Sequence, residues 1–313
     1  MSPVAAAGLK LEPVGIAAIR LRLLSRSASG NRCHSRPIRC ERSTTSGPEG
    51  TMTRTSRPTT EAILAVLPEL APHARDAVVL HPERAEPDCR NSSIGGPLLW
   101  PSDEPWPECS LPDENSPVGV PATAMVPVAQ IFRRDAPGPW WPAGIDLLQI
   151  LWCPNEHWDP PAQQADISPV LEVRWRRAAD VISQLTTPPS PSRYDEDGYL
   201  PQACAITAEH VTDFPFREEL PAELRPRLEQ LVRETGDGGD VITRLAGWKL
   251  GGWPTWHLTH PTVLPCDACG TAMTLLFTVA SDDETGVVVG RWGDLRIFTC
   301  PADHRHAFQV DLH

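Results

Sequence analysis

Lysine is almost missing from this chain. Only Lys10 and Lys249 occur among 313 residues, although Lys and Arg together number 28. We read that bias as genomic and not as mechanism. Tyrosine is nearly as rare, with 2 residues beside 6 Phe and 11 Trp. No stretch of 18 apolar residues occurs, so no segment reads as a membrane span. The phosphate loop G-x-x-x-x-G-K-[ST], the dinucleotide fingerprint G-x-G-x-x-G and the nucleophile elbow G-x-S-x-G are all absent. Their absence removes the common nucleotide-binding and α/β-hydrolase readings. Sustained helical periodicity is scarce too. Proline supplies the reason: it accounts for 35 of 313 residues, or 11%, against a usual share of about 5%, and it breaks helix interiors. Gly and Pro together are 56 of 313, or 18%, below the roughly 25–30% of low-complexity chains. With 41% apolar residues, the composition predicts a turn-rich, mainly β protein of the α+β class.

Charge is unevenly spread. Residues 1–51 carry 8 Lys/Arg and 3 Glu, a net of +5, which leaves 20 Lys/Arg and 37 Asp/Glu in residues 52–313, a net of −17. Such a field repels phosphate backbones, so nucleic acid is not the expected partner, and a basic client is favoured. The apolar run Pro13–Leu24 is interrupted by Arg20 and Arg22, and no clean small-residue cleavage site follows it. It does not read as a signal peptide. A cytoplasmic location is therefore expected, with the nine cysteines as thiols or metal ligands. Residues 1–58 lack an apolar period and are expected to be disordered. Met52 reads like a natural start, so residues 1–51 are either a non-native extension or a basic arm.

From there, a helix is predicted over residues 61–70, capped by Thr59 or Thr60. A second helix is predicted over Arg217–Glu234, kinked at Pro226. Strands are predicted at 77–81, 126–132, 146–152, 170–175, 274–280, 286–292, 294–299 and 307–312. Two ordered matches then suggest an internal repeat. GGPLLWP (Gly95–Pro101) resembles GGWPTW (Gly251–Trp256), and DLLQILWCPNEH (Asp146–His157) resembles DLRIFTCPADH (Asp294–His304). The expected layout is one domain over 59–313. Its first half runs over about 85–157, an insertion over 158–246 and a second half over 247–313.

Cysteine carries the chemistry. Cys266 and Cys269 form a C-x-x-C knuckle followed by Gly270, and Cys300 and His304 form C-x-x-x-H. Three sulfurs and an imidazole suit tetrahedral zinc, with His306 as the alternative fourth ligand. The set is full, which points to a structural site. The ordinary reading is reduced structural cysteine. The first half holds a partial copy in Cys109, Cys153 and His157, where Pro112 stands in the place of Cys269. This is a candidate degenerate second site. Its ordinary reading is three buried residues. Gly95, Gly96, Trp100, Trp106, Gly251, Gly252, Trp253 and Trp256 are candidates for an aromatic groove, against ordinary close packing and positive-φ turns. His257 and His260 form H-x-x-H without the Glu of a metalloprotease helix, a weak signal.

The GGPLLWP, VPVAQI, DLLQILW, KLGGWPTW and DLRIFTCPADH segments resemble the bacterial YwqG-like family, DUF1963, over about Ala85–His313. The order KLGGWPTW, CDACG, LRIFTC is also similar to the programmed cell death protein 2 family. This chain departs from that family in lacking a C-x-x-C in its first half. The resemblance implies a duplicated β-rich fold. It also implies protein binding or chaperoning, since the eukaryotic relatives escort a ribosomal protein. The expected function is a monomeric, zinc-stabilised binding protein that holds a protein client. The alternative is a zinc-dependent hydrolase, which would need an open coordination position.

Overall fold

The computed structural model describes residues 59–112, 121–160, 167–194, 197–235, 243–256 and 260–312. The expectation of disorder in residues 1–58 lies outside the described residues, as does His257. Helix α1 spans Thr60–Val66, and Thr59 caps it by accepting the Ala62 N–H at 3.3 Å. A 3-10 turn over Pro68–His73 continues it, because Pro68 cannot supply the next helical N–H.

The strands that follow are β1 (Arg75–Arg84), β2 (Ser93–Ile94), β3 (Glu108–Cys109), β4 (Thr123–Ala124), β5 (Val126–Phe132), β6 (Leu147–Trp158), β7 (Ile167–Arg176) and β8 (Cys204–Asp213). Helix α2 (Arg225–Thr235) comes next, then β9 (Lys249–Gly251), β10 (Thr274–Ala280), β11 (Asp294–Thr299) and β12 (Gln309–Leu312). The chain is thus mainly β with a few short helices, the class its composition predicts. Ten strands form one antiparallel sheet in the order β12-β11-β10-β9-β1-β8-β2-β5-β6-β7, while β3 and β4 pair separately.

That order is palindromic about β1 and β8. Outward from β1 run β9, β10, β11 and β12; outward from β8 run β2, β5, β6 and β7. Each of the two central strands pairs with the short strand that follows the other in sequence. The two wings also share a register. Val126 faces Trp152 and Gln130 faces Gln149; Thr274 faces Thr299 and Thr278 faces Arg296. Each hairpin bulges at the same step, between Pro127 and Ala129 and between Leu275 and Phe277. Residues of both wings enter one core, among them Val128, Ile150, Trp152, Phe277, Val279 and Ile297. Trp175 on β7 and Thr299 on β11 line a common pocket, so the sheet curls until its distant wings approach. A second cluster packs α1 on α2 through Ile63, Leu67, Leu224 and Leu228.

Three readings need correction. Beside the predicted strand that is β7, residues 158–246 hold one that was not predicted: β8 pairs with β1 over ten residues at the sheet centre. Its polar alternation, with His210 and Thr212 among the facing residues, hid a central strand. Pro226 does not kink a long helix; it sits in the first turn of α2, where its missing N–H costs nothing. Residues 286–292 form no strand: turns at Gly286 and over 290–292 flank Val287, which makes only an isolated bridge to Asp282, and Gly286, Gly290 and Trp292 all take positive φ.

Candidate metal centre

The knuckle is built by backbone before any ion is considered. Cys266 N–H donates to Thr271 O at 2.9 Å, and Gly270 N–H donates to Cys266 O at 2.7 Å. Gly270 sits at φ +71°, a conformation that a Cβ would strain. The reversal turns both thiols the same way. From the end of β11, Cys300 and the following turn close on them. Asp303 O accepts the His306 N–H at 3.1 Å, which returns His306 to the knuckle.

The result is a cluster of Cys266, Cys269, Cys300 and His306, whose ligand atoms all lie within 4.8 Å of one another. Cys269 Sγ is 3.6 Å from Cys300 Sγ, and Cys266 Sγ is 3.4 Å from His306 Nδ1. Tetrahedral zinc with bonds of about 2.3 Å to sulfur and about 2.0–2.1 Å to nitrogen requires S···S near ~3.8 Å and S···N near ~3.6 Å. The observed spacings match both. His304 is exposed and lines a neighbouring pocket instead. The turn at Asp303 faces it outward, so the alternative His306 is the residue in place.

Electrostatics favour thiolate at two of the three cysteines. The Thr271 hydroxyl and its backbone N–H pull Cys269 down to about 6. Burial pushes the Cys266 thiol up. At Cys300 burial also pushes up, but the Asp303 N–H and the His306 ring outweigh it and hold the thiol below its ordinary value. The same contact with Cys300 raises His306. No metal-free pairing is needed to bring these groups together; the backbone turns do it.

The first-half trio converges as well. Cys109, Cys153 and His157 are all buried, with ligand atoms within 4.8 Å of one another. In a regular strand, residues i and i+4 are about 13 Å apart, too far to share an ion. A bulge solves this. Trp152 faces Leu171 and Glu156 faces Pro169, so β6 advances four residues while β7 advances two. The surplus folds out and draws Cys153 and His157 together. His157 Nδ1 lies 3.0 Å from Pro112 O, and its Nε2 lies 3.5 Å from Cys109 Sγ. Hydrogen bonds from Cys153 and His157 pull Cys109 down to about 4, while Cys153 is pushed up by the same pairing.

The GG segments do not open into a groove. Trp100 and Trp256 are fully buried, each covered by a guanidinium: Arg176 lies 4.3 Å from the Trp100 ring and Arg296 lies 4.1 Å from the Trp256 ring. Trp106 and Trp253 are half-buried, and both indole N–H groups donate to backbone carbonyls. The glycines serve close packing. A Cβ on Gly95 would fall 2.5 Å from Gln202 O, one on Gly96 would fall 2.7 Å from Ser93 Oγ, and one on Gly252 would fall 2.5 Å from Asp213 Oδ2. On Gly251 it would strike the Trp140 ring. His260 is exposed and pairs with Glu218 at 3.0 Å, far from any metal role.

One pocket beside the cysteine loop has no counterpart in the sequence reading. It measures about 480 Å³ and is lined by Pro139, Trp140, Trp141, Pro142 and Trp175 on one side. Thr299 to Arg305, the loop that carries Cys300, forms the other. The sequence signal was present in PWWP (Pro139–Pro142), but nothing in the chain order links it to the cysteine loop.

Fold and clusters together define a mainly β protein with two cysteine–histidine groups able to hold a metal ion. No protein-family model matches the chain, and no curated protein matches it. Among the described residues no helix is long and apolar enough to cross a membrane.

Proposed function

We propose that this chain is a zinc-stapled binding protein of the cytoplasm that holds a protein segment. One observation carries the reading: Cys266, Cys269, Cys300 and His306 bring three sulfurs and one nitrogen within 4.8 Å of one another, with Cys269–Cys300 and Cys266–His306 close to zinc spacing. All four positions of a tetrahedron are taken by side chains, which is the mark of a structural ion and leaves no position for a substrate. The ion would tie the knuckle to the end of β11 and hold the 300–306 loop in shape. That loop walls the tryptophan pocket, so the metal would support a binding surface. Tryptophan and proline walls suit an extended peptide, and the net of −17 over residues 52–313 favours a basic one. The reading agrees with the resemblance to the YwqG-like and programmed cell death protein 2 families. It also takes the two wings, with their shared register and bulge, as copies of one ancestral unit.

Metal content and crosslinking test it. Zinc analysis of the purified full chain should show the site filled, and Cys266→Ser/Cys269→Ser should lose one zinc per chain. Crosslinks to a basic protein should map to Pro139–Pro142 or Cys300–Arg305. Unchanged zinc in the double variant would refute the site. Turnover of a generic ester or peptide without any crosslinked partner would refute the binding role.

A further inference from the structure

The first-half trio has a feature that three reduced side chains leave unexplained. Asn155 lies in the bulge between Cys153 and His157 and is fully buried. Its Nδ2 donates to Cys153 Sγ at 3.5 Å, as N–H groups do to metal-bound thiolates, while its Oδ1 is buried without a hydrogen-bond partner. A buried amide oxygen left bare carries a desolvation cost that a ligand bond to an ion would remove. Next to it, the His157 Nδ1–H donates to the Pro112 carbonyl at 3.0 Å. That bond fixes the tautomer and aims the Nε2 lone pair at the thiols, the outer-shell arrangement typical of ligating histidines. The Cys109 Sγ to His157 Nε2 distance of 3.5 Å again matches the ~3.6 Å that tetrahedral zinc requires.

We infer that Cys109, Cys153 and His157 form a second working zinc site, with an oxygen donor supplied or held by Asn155 in the fourth position. Pro112 replaces a second knuckle cysteine, yet its carbonyl is what orients His157. The loss of one sulfur is therefore offset by the bulge that brings Asn155 in. Its ligands are two soft sulfurs, one imidazole and one oxygen, a set suited to a d10 ion and not to calcium or magnesium. The ion would pin β3 to the end of β6. Burial of every ligand makes this a closed site without exchangeable substrate.

The inference shares its metal with the proposed function but not its residues, so the two can fail separately. The test is zinc content of the full chain, with folding of each variant checked by circular dichroism. Wild type should carry two zinc ions per chain. Cys266→Ser/Cys269→Ser should keep one, and Cys109→Ser and the milder His157→Gln should each lose one. Folded Cys109→Ser and His157→Gln proteins with wild-type zinc content would overturn the second site. So would a Cys266→Ser/Cys269→Ser protein that is folded and free of zinc, which decides the matter even if the first-half variants do not fold. A single zinc lost only in Cys109→Ser would support this site and sink the other.

Discussion

Lys249 shows what one residue can be asked to do in this chain. It is the single lysine among the described residues and is fully buried. Its Nζ lies 3.1 Å from Asp213 Oδ2 and donates to Trp253 O at 2.6 Å. Asp213 also accepts the Trp253 N–H at 2.8 Å, so one ion pair locks β8, β9 and the second GG turn. Removing one partner strands the other charge. Asp213→Ala should therefore cost about 3–5 kcal/mol, read by urea denaturation. A loss below about 1 kcal/mol would show that the pair is dispensable.

The thiols give a pH dependence at the same scale. Metal and proton compete for the same sulfur lone pairs, so affinity falls as pH falls. Cys266, raised by burial, must shed a proton at neutral pH, and affinity should already weaken between pH 8 and pH 6. Cys269, held at about 6 by Thr271, is a thiolate above that value and protonated below it. Zinc affinity should therefore drop more steeply below pH 6 than above it. Competition with a chromophoric chelator across pH 5–8 measures the slope. A pH-independent affinity would contradict thiolate ligation.

Among the elements, the edges of legibility follow physical causes. Strands β5, β10 and β11 coincide with the runs read from the sequence, because both faces of those strands are buried and apolar residues dominate them around the buried polar Gln130, Thr278 and Arg296. Strand β8 escaped because its exposed face carries polar residues and its partner β1 lies about 130 residues away. The run 286–292 misled because Val287, Val288 and Val289 look like a strand while the glycines around them turn the chain. Gly95 was visible as a motif, but its reason was not: φ +63° and the Gln202 carbonyl behind it. Gly95→Ala should destabilise by about 1–3 kcal/mol from backbone strain alone, before the clash is added. Thermal unfolding measures it, and an unchanged midpoint would show that the turn can rearrange.

At the scale of the whole molecule, the metal-site cysteines were legible because C-x-x-C and Cys-Pro are local patterns. The choice between His304 and His306 was not, since it depends on one turn at Asp303. The tryptophan pocket was not legible either, because it forms only when the curled sheet brings β7 and the β11 loop together. The palindromic order implies that neither half should fold alone. β1 and β8 are exchanged between the wings, so each wing completes its sheet only through the other. A fragment holding residues 59–203 alone lacks β8 and should fail to give a cooperative unfolding transition, whereas the 59–313 chain should unfold in one step.

In the proposed metal centre, three cysteines and His306 close around zinc at the end of β11. X-ray absorption at the zinc edge, on the folded Cys109→Ser protein, isolates that site. Three sulfur neighbours at about 2.3 Å and one nitrogen at about 2.0–2.1 Å are expected. Zinc surrounded by oxygen and nitrogen without sulfur, or a folded protein that binds no zinc, would contradict that centre.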